Sequence, residues 1–527
     1  MPFAGPDKRQ KVLVLLTMCF ALFMAMLDNT VVNVALPTIS RKLGAGVSGL
    51  QWVVDGYVLA FASLLLTGGI LGDRYGRKKV FILGLFGFTG ASLLCGLSHS
   101  TGQLVAFRAL QGVGASLLLP GTLSIITNTF PVEERAQAIG IWAGMSGIAL
   151  ALGPTAGGWL VEHAGWASVF FLNVPIGLVG VVVASRVVTE STSPNARKLD
   201  ILGLVLGTGM LFSVTYALIE ANQKGWGDTV ILGALALSAW LLLGFIVWEA
   251  RNPNGMVPTG LFRIPAFATG SLVAFAISVA MFGTFFFFSL YLQLVRGYSA
   301  FQAGVRFLPL TAMIVFVAPQ AGRLAQKYGS RWPLTFGLTM AGTGLLLLSR
   351  VGTDTNYGLV VPILMMMGIG MGSTMTPMTA AVMNAVGPAR AGLGSAATNT
   401  AREVGGVFGV ALLGTLLTTG LKSALNSSLA RISLAPGLRS SIVATAGHAQ
   451  LSPAQLKSLP ADQSAYVQHA FGQAFMHGFR ISLTVAGCLA LATAALANRN
   501  IGRGQTVAVE DLGVPVASAD AAFAIGH

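Results

Sequence analysis

Apolar residues form long, nearly unbroken blocks along this chain; they neither alternate with polar residues nor recur as a helical stripe. Each block is about twenty residues long, the length that an α-helix needs to cross the hydrocarbon core of a bilayer. The pattern therefore predicts about fourteen membrane-spanning helices, near residues 12–36, 50–71, 80–98, 104–127, 138–162, 167–188, 201–220, 229–249, 267–294, 303–325, 333–350, 358–383, 403–421 and 479–498.

Composition supports a membrane protein. Of the 527 residues, 54% are hydrophobic and 9% are charged, whereas an ordinary soluble domain has roughly 25% charged residues. A net charge of +14 on a soluble protein would suggest a nucleic-acid partner, but here the basic residues flank the apolar blocks, so no such partner is expected. Cys19, Cys95 and Cys488 each lie within an apolar stretch without metal-ligand spacing, so we expect neither a disulfide nor a metal site.

The distribution of basic residues predicts the orientation. An even number of spans places both termini on one side, and cytoplasmic loops retain Lys and Arg. With the N-terminus inside, the inner segments hold 20 Lys and Arg and the outer segments hold 11, of which five lie in 421–480. The run after Lys11 lacks a small-residue cleavage site and is interpreted as the first span, not as a signal peptide. We expect a multi-pass protein of the cytoplasmic membrane with both termini cytoplasmic.

An internal repeat predicts the architecture. Residues 69–78 (GILGDRYGRK) recur in weakened form at 322–331 (GRLAQKYGSR), each after the second span of a six-helix block and on the same face. Such parallel repeats indicate two six-helix bundles related by an axis along the membrane normal. We therefore predict an all-α membrane fold with an N-terminal bundle at 1–190, an inserted two-helix linker at 191–262, a C-terminal bundle at 263–500 with an external loop at 422–478 that holds one or two amphipathic helices, and a disordered cytoplasmic tail at 501–527.

Several motifs in order resemble the major facilitator superfamily, specifically its fourteen-span drug:proton antiporter branch. They are 27–37 (LDNTVVNVALP), the loop 69–78, 104–114 (LVAFRALQGVG), 153–158 (GPTAGG), 173–177 (NVPIG) and 291–299 (YLQLVRGYS). Two positions depart from the pattern: Ala167 follows Trp166 where the branch commonly has Arg, and Gln326 replaces an acid in the second loop copy. The resemblance covers nearly the whole chain and implies an exporter driven by the proton gradient, without a bound cofactor.

Charged residues inside the spans are the first candidates for a mechanism, because an ionised side chain in hydrocarbon costs several kcal/mol, of order 3. At about 1.5 Å rise per residue, Asp28, Asp55 and Arg108 should lie at similar depth. Asp28 and Arg108 could couple proton binding to conformation, or could form a static buried pair. Asp55 could recognise a cationic substrate, or could be an ordinary solvated helix end. Arg402 and Glu403 are secondary candidates, with Glu403 favoured as a residue that stabilises a helix start.

The loop 69–78 and the proline-containing fifth span have separate predicted roles. Gly69, Asp73, Arg74, Gly76 and Arg77 would form a cytoplasmic gate, in which Asp73 caps a neighbouring helix or pairs with a base in one state only; turn formation and topology determination are the alternative. In the fifth span, the antiporter motif would give a close-packed, bendable helix that seals an interface, although plain helix packing explains its glycines equally well. The motif residues are Gly153, Pro154, Gly157 and Gly158.

A hydrophobic substrate would need adaptable cavity walls, and large aromatic or flexible apolar side chains supply them. Most such residues in a membrane protein simply pack or face lipid. The expected partners are a small-molecule substrate, protons and membrane lipid, and the protein is expected to be monomeric. The candidate substrate-binding residues are Asp55, Trp52, Asn33, Gln111, Tyr291 and Met371.

Three other functions are alternatives to export: an enzyme, a metabolite permease and a receptor. An enzyme is disfavoured because the six histidines lie outside the span centres without metal-ligand spacing, and a GxxxxGK[ST] loop for ATP is absent from the sequence. A proton-coupled permease for a specific metabolite shares the fold and is separated only by the motifs at 27–37 and 153–158. A non-transporting receptor would carry its intramembrane charges at a cost to stability without benefit.

Overall fold

The computed structural model of the protein describes residues 8–192, 199–252, 255, 259–386, 391–432, 434, 436–446, 451, 455–456 and 459–502. All regular elements in this part of the chain are helical. Thirteen helices or helix pairs within it are long and apolar enough to cross a membrane. The predicted span at 333–350 is not among these thirteen, but it is present as a helix, Arg331–Leu348. The all-α membrane fold with about fourteen spans is therefore confirmed.

The first seven helices, here called the N-terminal group, provide six spans. Most of them are longer than the apolar blocks because polar residues at their ends continue the helix. They are α1 (Lys8–Leu43), α2 (Val47–Tyr75), α3 (Arg77–Gly96), α4 (Thr101–Thr129), α5 (Val132–Ala164), α6 (Ser168–Phe171) and α7 (Asn173–Val187), with α6 and α7 forming one span.

Two inserted helices follow, α8 (Ile201–Lys224) and α9 (Thr229–Arg251). The remaining helices, here called the C-terminal group, begin after a 3-10 turn at Thr259–Arg263. They are α10 (Pro265–Leu290), α11 (Ala300–Val305), α12 (Leu308–Tyr328), α13 (Arg331–Leu348), α14 (Tyr357–Val386), α15 (Ala391–Leu429), α16 (Pro436–Ala446) and α17 (Ala461–Asn500), and a π-helical turn at Tyr291–Val295 extends α10. The predicted tail beyond 502, and 193–198 at the start of the linker, lie outside the described residues.

The predicted external loop at 422–478 is shorter than hydropathy indicated. Helix α15 continues to Leu429 and α17 already begins at Ala461, with α16 between them. Leu425, Val467 and Phe475 in these extensions are fully buried in the main apolar core. Burial of one helix face explains why the helices continue beyond the predicted spans. Packing stabilises these stretches even though their Ser and Gln residues make their mean hydropathy too low to predict a span.

Glycines allow the helices of each group to approach closely. A Cβ atom at Gly112 of α4 would overlap the Tyr57 carbonyl oxygen of α2, and one at Gly114 would overlap the Phe88 backbone of α3. In the C-terminal group, Gly370 of α14 stands in the same relation to Ala341 of α13. Close backbone approach through small residues is the usual basis of helix packing in membranes, where lipid is as apolar as the side chains.

The two groups contact each other at the face opposite the N-terminus, here called the far face. The Ser289 hydroxyl donates to the Asn33 carbonyl over 2.9 Å, and the Gln293 amide donates to the Val34 carbonyl over 3.0 Å. Gln51 of α2 donates to the Val410 carbonyl of α15 over 2.9 Å. These bonds join α1 to α10 and its π-helical extension, and α2 to α15, so the molecule is closed at the far face.

The proline-containing helix α5 provides another part of this closure. Gly157 packs on Val31 of α1, whereas Gly158 faces the other group, where a Cβ atom would overlap the Ala300 carbonyl oxygen of α11. From the other side, a Cβ at Gly304 would overlap the Pro154 carbonyl oxygen. Of the motif glycines, Gly158 therefore lies in the interface between the two groups, whereas Gly153 and Gly157 pack on α1 of their own group.

We predict that Gly158→Ala opens the far face, because the added methyl group cannot fit without separating α5 from α11. Overpacking of this kind costs about 1–3 kcal/mol, so a buried cysteine introduced at Ala303 should react with a membrane-impermeant maleimide about tenfold faster. Gly144→Ala is the matched control on the same helix, since no atom lies within 4 Å of its added carbon. Equal labelling rates in the two variants would contradict the predicted interface role.

Candidate functional site

Asp28 is the centre of a buried polar cluster within the N-terminal group. Its Oδ2 accepts a hydrogen bond from Arg108 Nη1 over 2.6 Å, and the two side chains are 0% and 1% exposed. Its Oδ1 accepts from the Gln111 amide over 3.0 Å and from the Asn173 amide over 2.9 Å. One carboxylate on α1 therefore binds donors from α4 and α7, which satisfies the requirement that a buried charge be paired and hydrogen-bonded.

Arg108 contacts residues of α2 and of its own helix α4 in addition to Asp28. Its Nε donates to the Val53 carbonyl over 3.1 Å, and a second bond from Nη1 reaches Gln111 Oε1 at 2.8 Å. The guanidinium carbon lies 4.2 Å from the centre of the Tyr57 ring, a cation–π contact. The guanidinium is thus fixed between α2 and its own helix, and any shift of α1 relative to them changes the distance to Asp28.

Local structure explains how the donors meet. Arg108 and Gln111 are three residues apart on α4 and so project from one face of that helix. Asn173 begins α7, immediately after the break that separates it from α6. The Asn173 amide also donates to Ser92 Oγ, whose hydroxyl donates to the Phe170 carbonyl, so α3 fixes this break. Asn173 therefore faces Asp28 because the sixth span is interrupted.

Asp55 is buried, not solvated. The residue is 0% exposed, and neither of its carboxylate oxygens has a hydrogen-bond partner in the described part of the chain. The interpretation of Asp55 as an ordinary solvated helix end is therefore wrong, because α2 begins at Val47 and carries Asp55 about 12 Å from its end. A carboxyl group without donors at this depth is stable when protonated or when it contacts a cation.

The other substrate-binding candidates have their polar atoms bound elsewhere. The Trp52 indole donates to Glu220 of α8 over 3.0 Å, and the Asn33 amide donates to the Asn29 carbonyl in its own helix. Tyr291 donates to the Gly352 carbonyl over 3.1 Å, and Met371 is fully buried in the main apolar core. Gln111 alone among them contacts the Asp28 cluster, so no single cavity that joins all six is described.

The loop between α2 and α3 contains an internal ion pair. Arg77 Nη2 lies 2.8 Å from Asp73 Oδ1, four residues earlier in the chain, and Arg74 stacks on its neighbour Tyr75. The backbone amides of Lys78 and Lys79, in the first turn of α3, donate to the carboxylate of Glu190, which follows α7. In this conformation Asp73 therefore pairs with Arg77, whereas the carboxylate that caps α3 is Glu190.

The conformation of this loop depends on its glycines. Gly76 has φ of 115°, a region that L-residues rarely adopt, and a Cβ there would meet the Glu190 carboxylate at 2.7 Å. Gly69 lies nearer α4, with Pro120 Cβ 3.6 Å from where its own Cβ would be. Gly76 is thus required for the turn, whereas a Cβ at Gly69 would make only an ordinary van der Waals contact with α4.

Glu403 does not lie at a helix start. Helix α15 begins at Ala391, so Glu403 is in its fourth turn, 4% exposed, with Oε1 3.7 Å from Arg402 Nη2 and Oε2 without a partner in the described residues. The expected stabilisation of Glu403 by a helix N-terminus is therefore wrong. Hydropathy placed the start of this span too late because small and polar residues precede Arg402.

Three residues of the Asp28 cluster were not predicted as site residues: Asn173, Ser92 and Tyr57. Asn173 is part of the 173–177 motif and is an amide near a span start, which is a usable signal. Ser92 and Tyr57 are fully or almost fully buried, at 0% and 1% exposure, but nothing in their local sequence separates them from other Ser and Tyr residues.

Comparison with known proteins gives the family. The profile of the Major Facilitator Superfamily matches residues 18–410. The tetracenomycin C resistance and export protein of Streptomyces glaucescens is 34% identical over 487 residues, which cover 92% of this chain and 90% of that protein. The methylenomycin A resistance protein of Bacillus subtilis (strain 168) is 37% identical over 407 residues, covering 77% of this chain and 87% of the relative.

A mycobacterial relative and two solved structures agree. Multidrug resistance protein Stp of Mycobacterium tuberculosis (strain CDC 1551 / Oshkosh) is 35% identical, covering 80% of this chain and 79% of that protein. A bacterial homologue of the human lysosomal transporter Spinster, inward-facing and unoccupied, shares the fold with a TM-score of 0.63 at 17% identity, covering 94% of this chain and 99% of that one. The peptide transporter POT gives 0.59 at 14%, covering 92% and 95%. The resemblance seen in the motifs is thereby confirmed: the chain belongs to the Major Facilitator Superfamily of transporters.

Proposed function

We propose that this protein is a proton-coupled exporter of hydrophobic, cationic or antibiotic-like small molecules that works by alternating access. The observation that carries the proposal is the buried Asp28 carboxylate with its donors from two other helices. The names of relatives point to export of antibiotics and other drugs, and they cover several different compounds. Some of these relatives are named for one antibiotic and another for multidrug resistance, so together they support a class of substrate and not one particular molecule.

The proton-coupling step follows from the chemistry of the Asp28 cluster. In the conformation closed at the far face, donors from Arg108, Gln111 and Asn173 stabilise the ionised carboxylate. A proton on Asp28 would remove an acceptor from these donors and weaken the attachment of α1 to α4 and α7. If α1 shifts relative to α4 and α7 between conformations, the affinity of Asp28 for a proton differs between them, and by thermodynamic linkage protonation then shifts their populations.

The direction of transport depends on orientation. The excess of Lys and Arg in segments on the N-terminal side supports cytoplasmic termini, so the far face would be external. The far-side-closed conformation would then expose its substrate path to the cytoplasm, as an exporter requires for loading. Energy would come from the proton gradient without a cofactor, and the monomer would contact only substrate, protons and membrane lipid.

Asp55 supplies a second carboxylate for recognition of positively charged substrates. Its two buried oxygens lack donors from the described residues, so a cation that reaches them gains a partner that the protein itself does not satisfy. Because the site is shielded from water, such an attraction is stronger than at a surface. A proton-coupled permease for one metabolite remains the alternative, and a narrow transport profile would favour it.

We predict that Asp28→Asn abolishes proton-driven efflux while leaving the protein inserted in the membrane. Asparagine keeps the size of the side chain but cannot release a proton. Uptake of a fluorescent cationic dye into everted vesicles with an acidic lumen should fall to the level of vesicles without the transporter. Asp354→Asn, in the loop before α14, is the control and should retain wild-type efflux; wild-type efflux by Asp28→Asn would refute the assignment.

Asp55→Asn should weaken binding of cationic compounds selectively. Loss of one charge attraction of about 1.4 kcal/mol raises Kd about tenfold, whereas a neutral aromatic compound of similar size should bind with unchanged Kd. Isothermal titration with ethidium and with an uncharged analogue would measure both. An equal loss for the two compounds would show that Asp55 has a structural role only.

Asp73→Asn should slow turnover more than it weakens substrate binding. We expect the Asp73–Arg77 pair to rearrange when the face opposite the far face closes. Losing the pair then changes the free-energy difference between the two conformations by about 1 kcal/mol and lowers the turnover rate about fivefold. Glu190→Gln is the comparison, because it changes the carboxylate that accepts the first α3 amides without touching the Asp73 pair. Unchanged turnover in Asp73→Asn with unchanged Kd would count against a gate.

A further inference from the structure

The inserted helix α8 lies across the place where α2 of the N-terminal group meets α15 of the C-terminal group. Towards α2, the Ser48 hydroxyl donates to the Ile219 carbonyl over 3.3 Å, and the Trp52 indole donates to Glu220 Oε1 over 3.0 Å. Towards α15, the Thr415 hydroxyl lies within hydrogen-bond distance of the Leu218 carbonyl and of the Ala411 carbonyl in its own helix, so its single proton is shared between them. Three consecutive residues of α8 therefore bind both groups at once.

Apolar packing reinforces the same place. Leu218 and Ile219 are buried against Ala411 of α15, and Trp52, Val214, Phe408 and Leu412 pack around them. The Trp52 ring lies 5.9 Å from the Phe212 ring and 6.4 Å from the Tyr216 ring, both on α8. We call the set formed by Ser48, Trp52, Leu218, Ile219, Glu220 and Thr415 the α8 junction.

The α8 junction coincides with a direct contact between the two groups. Gln51, next to Trp52 on α2, donates to the carbonyls of Val410 and Ala411 on α15 over 2.9 Å and 3.2 Å. Gly414 permits this approach, since a Cβ there would overlap the Gln51 side chain. Separation of α2 from α15 during opening of the far face must therefore also break the contacts of α8 with one of them.

Helix α9 has a different position from α8. Only Ile231, Ser238 and Glu249 are buried among its described residues, and it packs on α8 through the small cluster of Ala217, Ala221 and Ile231. Helix α9 thus faces lipid and covers α8, while α8 fills the groove between the two groups. The chain enters this pair from α7 and leaves it towards α10, so α8 is not covalently within either group.

We propose that α8 is a positioning element of the transport cycle, which stabilises the far-side-closed conformation by binding α2 and α15 together. The inserted pair then sets how often the far face opens, which is a role that a passive linker between two halves would not have. This inference goes beyond the proposed function, because it depends neither on the proton site nor on the substrate.

The test measures the far-face opening directly. In a background with Cys19, Cys95 and Cys488 replaced by serine, spin labels at His99→Cys and Arg350→Cys mark exposed turns of the two groups on the far face. Double electron–electron resonance of the full chain in lipid nanodiscs gives the populations of the short and long distances. Thr415→Val combined with Trp52→Phe removes one donor on each side of α8 and should raise the open population about fivefold or more.

Thr418→Val is the matched control. Thr418 lies on the same helix, is equally buried, and its hydroxyl donates only to the Gly414 carbonyl of its own helix among the bonds seen here. Its distance distribution should equal that of the parent protein. An open population in the double variant no greater than in Thr418→Val would overturn the proposal.

A second measurement covers the case in which the double variant does not fold. Cysteine pairs at Ser48 with Ile219, and at Leu218 with Thr415, would be joined by a short cross-linker in the background that lacks Cys19, Cys95 and Cys488, with the spin labels at positions 99 and 350 attached to a keto amino acid in place of cysteine. With both links formed, the long-distance population should disappear, and cleavage of the links should restore it. A long-distance population that survives both links would also overturn the proposal. Both readouts are independent of transport, so failure of proton coupling would not affect them.

Discussion

The buried pair of Asp28 and Arg108 is the interaction on which the N-terminal group depends. Two opposite charges, each almost completely excluded from solvent, are tolerated only when their remaining donors and acceptors are also bound. The side-chain amides of Gln111 and Asn173 donate to the remaining carboxylate oxygen of Asp28. The Arg108 guanidinium also donates to the Val53 carbonyl and contacts the Tyr57 ring. Four of the spans, α1, α2, α4 and the interrupted α6–α7, are therefore positioned by one cluster, and a change of protonation at Asp28 is felt by all of them.

The contacts between the two groups have a different chemistry, and the difference suits alternating access. Ser289, Gln293, Gln51 and Thr155 all donate from a side chain to a backbone carbonyl of the opposite group. The Val34 and Val410 carbonyls lie within helices, but the Asn33 carbonyl has Pro37, which carries no N–H, four residues further on, so Ser289 supplies a donor that the helix lacks. When the groups separate, water in an opened cleft replaces these partners at a small net cost. An ion pair thus holds the inside of one group, whereas hydrogen bonds hold the groups together, including those that the Glu162 carboxylate of α5 accepts from Ser299 and from the Phe301 amide.

The sequence predicted the fold and the central pair for physical reasons that apply to few other features. Bilayer thickness fixes span length, so hydropathy finds the helices, and a constant rise per residue places Asp28 and Arg108 at one depth. Hydropathy did not predict where the helices begin and end. The polar start of α15 hid the burial of Glu403, and the early start of α2 hid the burial of Asp55. Asn173 was missed as a partner because its direction depends on the break between α6 and α7, which is a tertiary feature fixed by Ser92 and Phe170.

The inserted helices α8 and α9 bear on the balance between the two conformations. A fold of two groups joined by weak bonds can open at either face, and the relative stability of its two conformations is then sensitive to small additional contacts. Helix α8 adds such contacts at the α2–α15 boundary, where Trp52, first considered as a substrate residue, instead binds Glu220. Because α8 lies outside the Asp28 cluster, its contacts can change the balance between conformations without altering the proton site. The two inserted helices therefore offer a way to adjust how often the far face opens, separately from the chemistry that drives transport.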